Sequence, residues 1–379
     1  MLNNLNGMIG VAAEIHTSPE AMNFLSCVKA PESKTDSALW LKRIRLNVRR
    51  IIYHRAQAVG DPMDNSATPL SLEHIRLMNR AYATEGSKDA MERKFSITSA
   101  WASVGRSSEL SWVPFDSIQW DEEYGCCFAV DPQAKVAKMK LVAFTAGSDW
   151  DCCFFTCLGD LLSAAPLPID YFEERFTDGS TARFMFPFLR GSESPGQKLG
   201  RCIKAVAEGS RGAQSKFAAV ALPPSKLPAT CNAAGLRPGA CNRLCTYITA
   251  EHAVRNTGHD LRQQSALYDY VDPDRSLLMP GARVLAGFPP PPWGQTGPGP
   301  KAASIETIFD SVGEAAVEEF IDALFFLDSR SPPEFMVGAM LRPMIHAAAA
   351  HVIMYYPVRC NAKKEFEGMQ PMHLWMRQC

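Results

Sequence analysis

A mainly α fold with one small antiparallel β-sheet, class α+β, follows from three features of the sequence. Apolar residues recur at helical spacing through residues 41–55 (Leu41, Ile44, Val48, Ile51, Ile52), and helical runs resume after Ser71 and from about Lys88 to Ser103. Between residues 112 and 146 the pattern changes. Residues 112–120, 125–130 and 138–146 are short β-rich and aromatic segments separated by Asp, Pro and Gly, as in a small antiparallel sheet. Beyond residue 300, residues 315–327 and 333–356 again read as apolar helices, the second bent at Pro343.

Taken in order, residues 1–59 read as helical. Ser18-Pro19-Glu20 supplies an N-cap and a favourable first turn. The helix over 41–55 carries Lys42, Arg43, Arg45, Arg49, Arg50 and Arg55 with no intervening acid. A charge run of one sign with nothing to pair with along its helix suits either solvent or a polyanion such as DNA. Residues 60–66 form a mainly polar linker, and Ser71 is placed to cap the next helix. Residues 131–140 read as a hairpin loop with three lysines, Lys135, Lys138 and Lys140. Helices are expected near 160–164 and 197–208. The run Pro289-Pro290-Pro291-Pro292, closed by Gly294 to Pro300, reads as a polyproline linker. The expected organisation is a basic helical segment at 1–65, a main domain at 66–288, a linker at 289–300 and a helical appendage at 301–379.

Composition narrows the partners little. Lys and Arg total 39 against 40 for Asp and Glu, a net charge of −1, so a nucleic acid must be held by local patches. The twelve cysteines show no regular framework. The adjacent pairs Cys126-Cys127 and Cys152-Cys153 suit buried strands better than disulfides, which points to reduced thiols in the nucleus or cytoplasm. Cys231, Cys241, Cys245 and His252 form a cluster worth testing for metal. No CxxC completes it, and buried small hydrophobes are the expectation. The N-terminus has no basic segment before an apolar core, and the apolar run 345–356 is too short for a bilayer, so a soluble protein is expected.

Chemistry is concentrated in a few short stretches. Residues 105–110 read Gly-Arg-Ser-Ser-Glu-Leu, an arginine at a Gly-Ser turn, where a guanidinium offers a planar fork of donors to an anion. A second arginine follows in Gly235-Leu236-Arg237-Pro238-Gly239, then Gly258-His259, then Tyr268-Asp269-Tyr270-Val271-Asp272. Two arginines, a lysine, a histidine and a tyrosine are the parts that phosphodiester cleavage by a protein nucleophile needs. The arginines neutralise non-bridging oxygens, the lysine protonates the leaving oxygen, and the tyrosine stores the bond energy as a phosphoryl ester.

In this order the boxes resemble those of tyrosine recombinases, the phage-integrase superfamily, over residues 68–275, with a leaning toward eukaryotic mobile-element members. The resemblance implies that residues 112–120 lead into the β-hairpin. It implies that Arg106 and Arg237 bind the scissile phosphate, with Glu109 buttressing Arg106. Lys135 is the implied general acid, with Lys138 as the substitute, and His259 assists at the phosphate. Tyr270 is the implied nucleophile, preferred for the Val-Asp that follows it; Tyr268 is the rival because its separation from His259 is closer to the bacterial spacing. Double-stranded DNA, contacted also by Lys42, Arg43, Arg45, Arg49 and Arg50, and self-association on DNA are the implied partners. No cofactor, metal, membrane or small-molecule substrate is implied. One position departs from the family: Ala234 stands where a histidine or another polar group is usual. That departure keeps open a catalytically silent DNA-binding relative beside the strand transferase. A type IB topoisomerase uses a similar residue set, and an unrelated interaction protein is the remaining alternative.

Overall fold

The computed structural model describes residues 68–131, 140–168, 170–209, 227, 230–257, 275–290, 299–305, 314–325 and 341–365. The chain divides into Met1–Ser66 and Ala67–Cys379, and every described residue belongs to the second unit. The basic segment with Lys42, Arg43, Arg45, Arg49 and Arg50 therefore lies outside the described residues.

The expected α+β architecture is present: mostly helix, with a three-stranded antiparallel sheet and a separate two-stranded one. Helix α1, Leu72–Glu85, begins where Ser71 caps it. The Ser71 hydroxyl accepts from the His74 amide at 3.3 Å, and His74 Nδ1 accepts from the Ser71 amide at 3.0 Å, a capping box closed by histidine in place of Glu. Helix α2, Lys88–Ser103, follows after a left-handed Gly86 and is capped by Ser87. It is the axis of the fold. Ala90, Met91, Phe95, Ile97, Ala100 and Trp101 are buried on it, together with the polar Lys94, Ser96, Thr98 and Ser99. Three of these four polar groups have hydrogen-bond or ion-pair partners. Thr98 accepts from the Asn79 amide at 2.7 Å, Ser99 donates to the Phe95 carbonyl at 2.7 Å, and Lys94 pairs with Asp160.

After α2 comes a single turn, α3, Ser107–Leu110. Residues 112–120 do not form the continuous strand expected. Pro114 makes an isolated bridge to Phe184, residues 115–117 form a 3₁₀ turn, and strand β1 is confined to Gln119–Asp121. The Ser117 hydroxyl closes the turn on the Pro114 carbonyl at 2.8 Å, a local bond that competes with extension. Strands β2, Cys126–Asp131, and β3, Lys140–Phe144, complete the sheet in the order β1-β2-β3, with Cys127 opposite Phe144 and Asp131 opposite Lys140. Lys140 is thus a strand residue, not a loop lysine. The Cys126-Cys127 pair is explained by a strand buried on both faces. Cys127 and Ala129 join the main core, while Cys126 and Phe128 pack with Tyr124, Leu278, Met279 and Ala282.

Cys152-Cys153, also expected in a strand, instead precedes helix α4, Phe154–Ala164, with Cys153 as its N-cap. Strands β4, Glu173–Arg175, and β5, Thr181–Arg183, make a small hairpin. Helices α5, Pro195–Gly209, α6, Leu236–Tyr247, α7, Ala250–Thr257, and α8, Arg275–Leu285, follow. Helix α9, Glu314–Leu324, and helix α10, Arg342–Glu365, complete the described elements.

The polyproline run does not separate two compact units. Ile305, Val317, Ile321, Leu324, Met344, Ile345 and Ala348 belong to the same buried cluster as α1, α2 and α4. Helix α10 approaches α4 so closely at Gly159 that a Cβ there would lie 2.5 Å from the Val352 side chain. His351 of α10 joins three segments. Its Nε2 accepts from the Ala303 amide at 3.0 Å, and its Nδ1 lies 3.4 Å from the Cys153 sulfur. A run of prolines signals a stiff connection, and the described residues beyond it pack on the same core. Among the described residues no helix is long and apolar enough to cross a membrane.

Candidate phosphate-binding site

The end of α2 creates the site. Val104 follows Ser103 in a left-handed conformation, φ 48° and ψ 17°, a cost of about 1–3 kcal/mol for a β-branched residue. That turn ends the helix and throws the chain sideways. The amides of Gly105 and Arg106 are engaged within the chain, where a Gly-Ser turn suggested that they stay open. Gly105 N–H donates to the Ser103 hydroxyl at 3.1 Å, and Arg106 N–H donates to Glu109 Oε2 at 2.8 Å. The cationic groups at the turn are the side chains of Arg106 and Arg237.

Glu109 is the hub. Its carboxylate, 6% exposed, takes the Arg106 amide on Oε2 and the Arg106 guanidinium on Oε1. Arg237 Nη1 reaches the same Oε2 at 3.4 Å from a position 128 residues further along the chain. Burial pushes the Glu109 carboxyl up. The Arg106 hydrogen bonds and the charges of Arg106 and Arg237 outweigh it and hold the carboxyl below its ordinary range. Arg237 also donates from Nη2 to the Thr257 carbonyl at 3.1 Å, the last residue of α7, where a cation meets the negative end of a helix. The two arginines differ in exposure: the Arg106 side chain is 45% exposed and that of Arg237 20%. The carboxylate is thus buried behind guanidinium groups that reach solvent.

The glycines of the second arginine box have a packing explanation. Gly235 and Gly239 lie against the entry segment of the unit. A Cβ on Gly235 would sit 2.3 Å from the Thr68 carbonyl oxygen, and one on Gly239 1.8 Å from that of Leu70. The Leu70 amide donates to the Gly235 carbonyl at 2.9 Å. This contact seats the start of α6 and with it Arg237. Ala234 is exposed on the short 3₁₀ turn before α6, its amide capped by Asn232 Oδ1 at 2.9 Å. Its methyl contributes no polar group.

Two participants were not legible in the sequence. The Thr257 carbonyl carries no side-chain signature. Lys140, one of three lysines in its stretch, is the one that begins β3. It is 4% exposed and donates from Nζ to the Ser103 carbonyl at 2.6 Å. The Cys241 thiol, one turn beyond Arg237 on α6, is pushed up by burial and pulled back by the charges of Arg237 and Lys140. Its neighbours in the possible metal cluster do not join it. Cys231 is buried, Cys245 is exposed, and His252 Nδ1 lies 2.6 Å from the Thr249 hydroxyl. Among the described residues no three His, Cys, Asp or Glu side chains are arranged to hold a metal. The exposed Cys245 also departs from the expectation of buried thiols.

Of the expected site residues the structure brings Arg106, Glu109 and Arg237 together. Lys135, Lys138, His259, Tyr268 and Tyr270 lie outside the described residues. In comparison with known proteins, no family model, no curated protein and no solved structure matches this chain.

Proposed function

We propose that this chain cuts and rejoins DNA strands through a covalent 3′-phosphotyrosyl intermediate, in the manner of the tyrosine recombinases that its boxes resemble. One observation carries the reading. Arg106 and Arg237, far apart in sequence, converge on the single buried carboxylate of Glu109 while the Arg106 side chain remains substantially exposed. A shared carboxylate orients two guanidinium groups without burying them, the arrangement that two charged non-bridging oxygens require.

In this reading Arg106 and Arg237 clamp the scissile phosphate. Tyr270 gives up its phenolic proton to solvent and attacks phosphorus as the phenolate, the 5′ oxygen leaves with a proton from Lys135 or Lys138, and His259 donates a hydrogen bond to the phosphate. Reversal of the same steps by a second 5′-hydroxyl end rejoins the strand and frees the tyrosine. The partners are double-stranded DNA and further copies of the chain assembled on it. Lys42, Arg43, Arg45, Arg49 and Arg50 supply additional backbone contacts. A second reading, a DNA-binding relative without cleavage, is favoured by the methyl group of Ala234 where a polar group would assist the phosphate.

A nicked suicide duplex tests both. The strand transferase leaves DNA covalently attached to protein, and Tyr270→Phe abolishes the adduct. Loss of the adduct in Tyr268→Phe with retention in Tyr270→Phe moves the nucleophile to Tyr268. Salt-sensitive binding without an adduct supports the silent relative, and no binding at low salt sinks both. Relaxation of supercoiled DNA without strand exchange assigns the chemistry to a topoisomerase-type outcome.

A further inference from the structure

We propose that Lys140 is the positioning residue for Arg106: from the first residue of β3 its ammonium grips the end of α2 and so aims the turn that carries the arginine. The inference rests on the reading of Arg106 as a phosphate ligand, and it adds a residue that acts on the arginine without touching the phosphate.

The geometry is specific. Lys140 Nζ donates to the carbonyl of Ser103, the last residue of α2, at 2.6 Å, and the side chain is almost entirely buried. Carbonyls in the last turn of a helix lack intrahelical partners, and a cation there also meets the negative end of the helix dipole. Ser103 is held at its other end as well. Its hydroxyl donates to the Ala100 carbonyl at 3.2 Å and accepts from Gly105 N–H at 3.1 Å. The next residue, Val104, is in the left-handed conformation, which a β-branched side chain adopts only where its surroundings over-determine it. Here the determinants are Ser103 on one side and the Arg106–Glu109 cap on the other. Releasing the Ser103 carbonyl gives Val104 a route back to an ordinary conformation. Arg106, two residues on, loses its direction. A lysine buried on a strand is also an expensive way to fill space that methionine would fill, so its ammonium is what the position requires.

The test compares Lys140→Met and Lys140→Arg in Arg106 and Arg106→Ala backgrounds, with two readouts. The first needs no DNA. Amide hydrogen exchange at Gly105 is expected to accelerate about 10- to 100-fold in Lys140→Met, the loss of one charge-assisted bond, while amides in the middle of α4 change little. Lys140→Arg is expected to restore protection. The second is binding of a short duplex. Lys140→Met is expected to weaken it about 10-fold when Arg106 is present and not at all in Arg106→Ala. Equal weakening in both backgrounds would mean that Lys140 touches DNA itself and overturns the proposal. Unchanged exchange at Gly105 overturns it too. If the wild-type chain binds no duplex, the DNA reading falls and the exchange experiment alone decides Lys140. Should Lys140→Met not fold, Lys140→Gln, a neutral donor, takes its place with an intermediate acceleration expected.

Discussion

Lys94 and Asp160, both fully buried on α2 and α4, place charge in the fold in one way, and the Arg106–Glu109–Arg237 set at the end of α2 does so in another. In the core each charge is enclosed with its partner, beside the Trp150 ring, which lies 5.0 Å from the Lys94 ammonium. At the end of the helix one carboxylate is enclosed, and two cations are anchored to it by their inner edges. A closed pair specifies how two helices pack. An open set with buried anion and accessible cations presents charge to something outside. The same helix thus encloses charge in its middle and leaves charge accessible to solvent at its end.

The largest expected effect tests the closed pair. Asp160→Ala leaves an uncompensated buried ammonium and should lower unfolding free energy by about 3–5 kcal/mol in urea titrations. Lys94→Met with Asp160→Leu should recover most of that loss, because two apolar groups remove both desolvation costs. If the double substitution is as damaging as the single one, the pair does more than match its own charges. The open set should behave oppositely. Arg237→Ala is expected to cost only about 1 kcal/mol of stability, since Arg106 still serves Glu109, yet to reduce adduct formation on the suicide duplex by about 10²–10³-fold. A stability loss as large as that of Asp160→Ala would make the set another packing device.

Acid sharpens the comparison at smaller amplitude. The Glu109 carboxyl is held below its ordinary value, so its contribution is complete above the unfolded-state value of about 4.3 and is lost as pH falls through the lower folded-state value. Glu109→Gln should therefore be less stable than the wild type near pH 7, by about 1–2 kcal/mol, and the two should converge in acid. A difference that grows as pH falls would reverse the sign and contradict the shared-carboxylate picture.

What was legible in the sequence follows the range of the signals. Helices α1 and α2 were readable because caps and apolar periods are local: Ser71, for one, acts within three residues of itself. The strands of the sheet were readable as segments, and Cys126-Cys127 pointed to a buried strand; what covers its second face was not readable, since that depends on α8 packing there. Proximity of Arg106 to Glu109 is a matter of one turn, whereas the arrival of Arg237 requires α6 to seat on residues 68–70. The polyproline run misled because stiffness in a chain says nothing about where its far end docks. The Thr257 carbonyl was invisible for a simpler reason, that every residue has one.

The contact of Gly235 and Gly239 with Thr68 and Leu70 gives a means of sorting relatives by descent. Those glycines are required by the distance between two backbones, independently of any role of the arginines. On the proposed reading, a lineage that abandoned cleavage would be free to lose Arg106, Glu109 and Arg237 while its glycines stayed under selection. On that reading, drift of the arginines over constant glycines would mark a silent relative, and joint retention an active one.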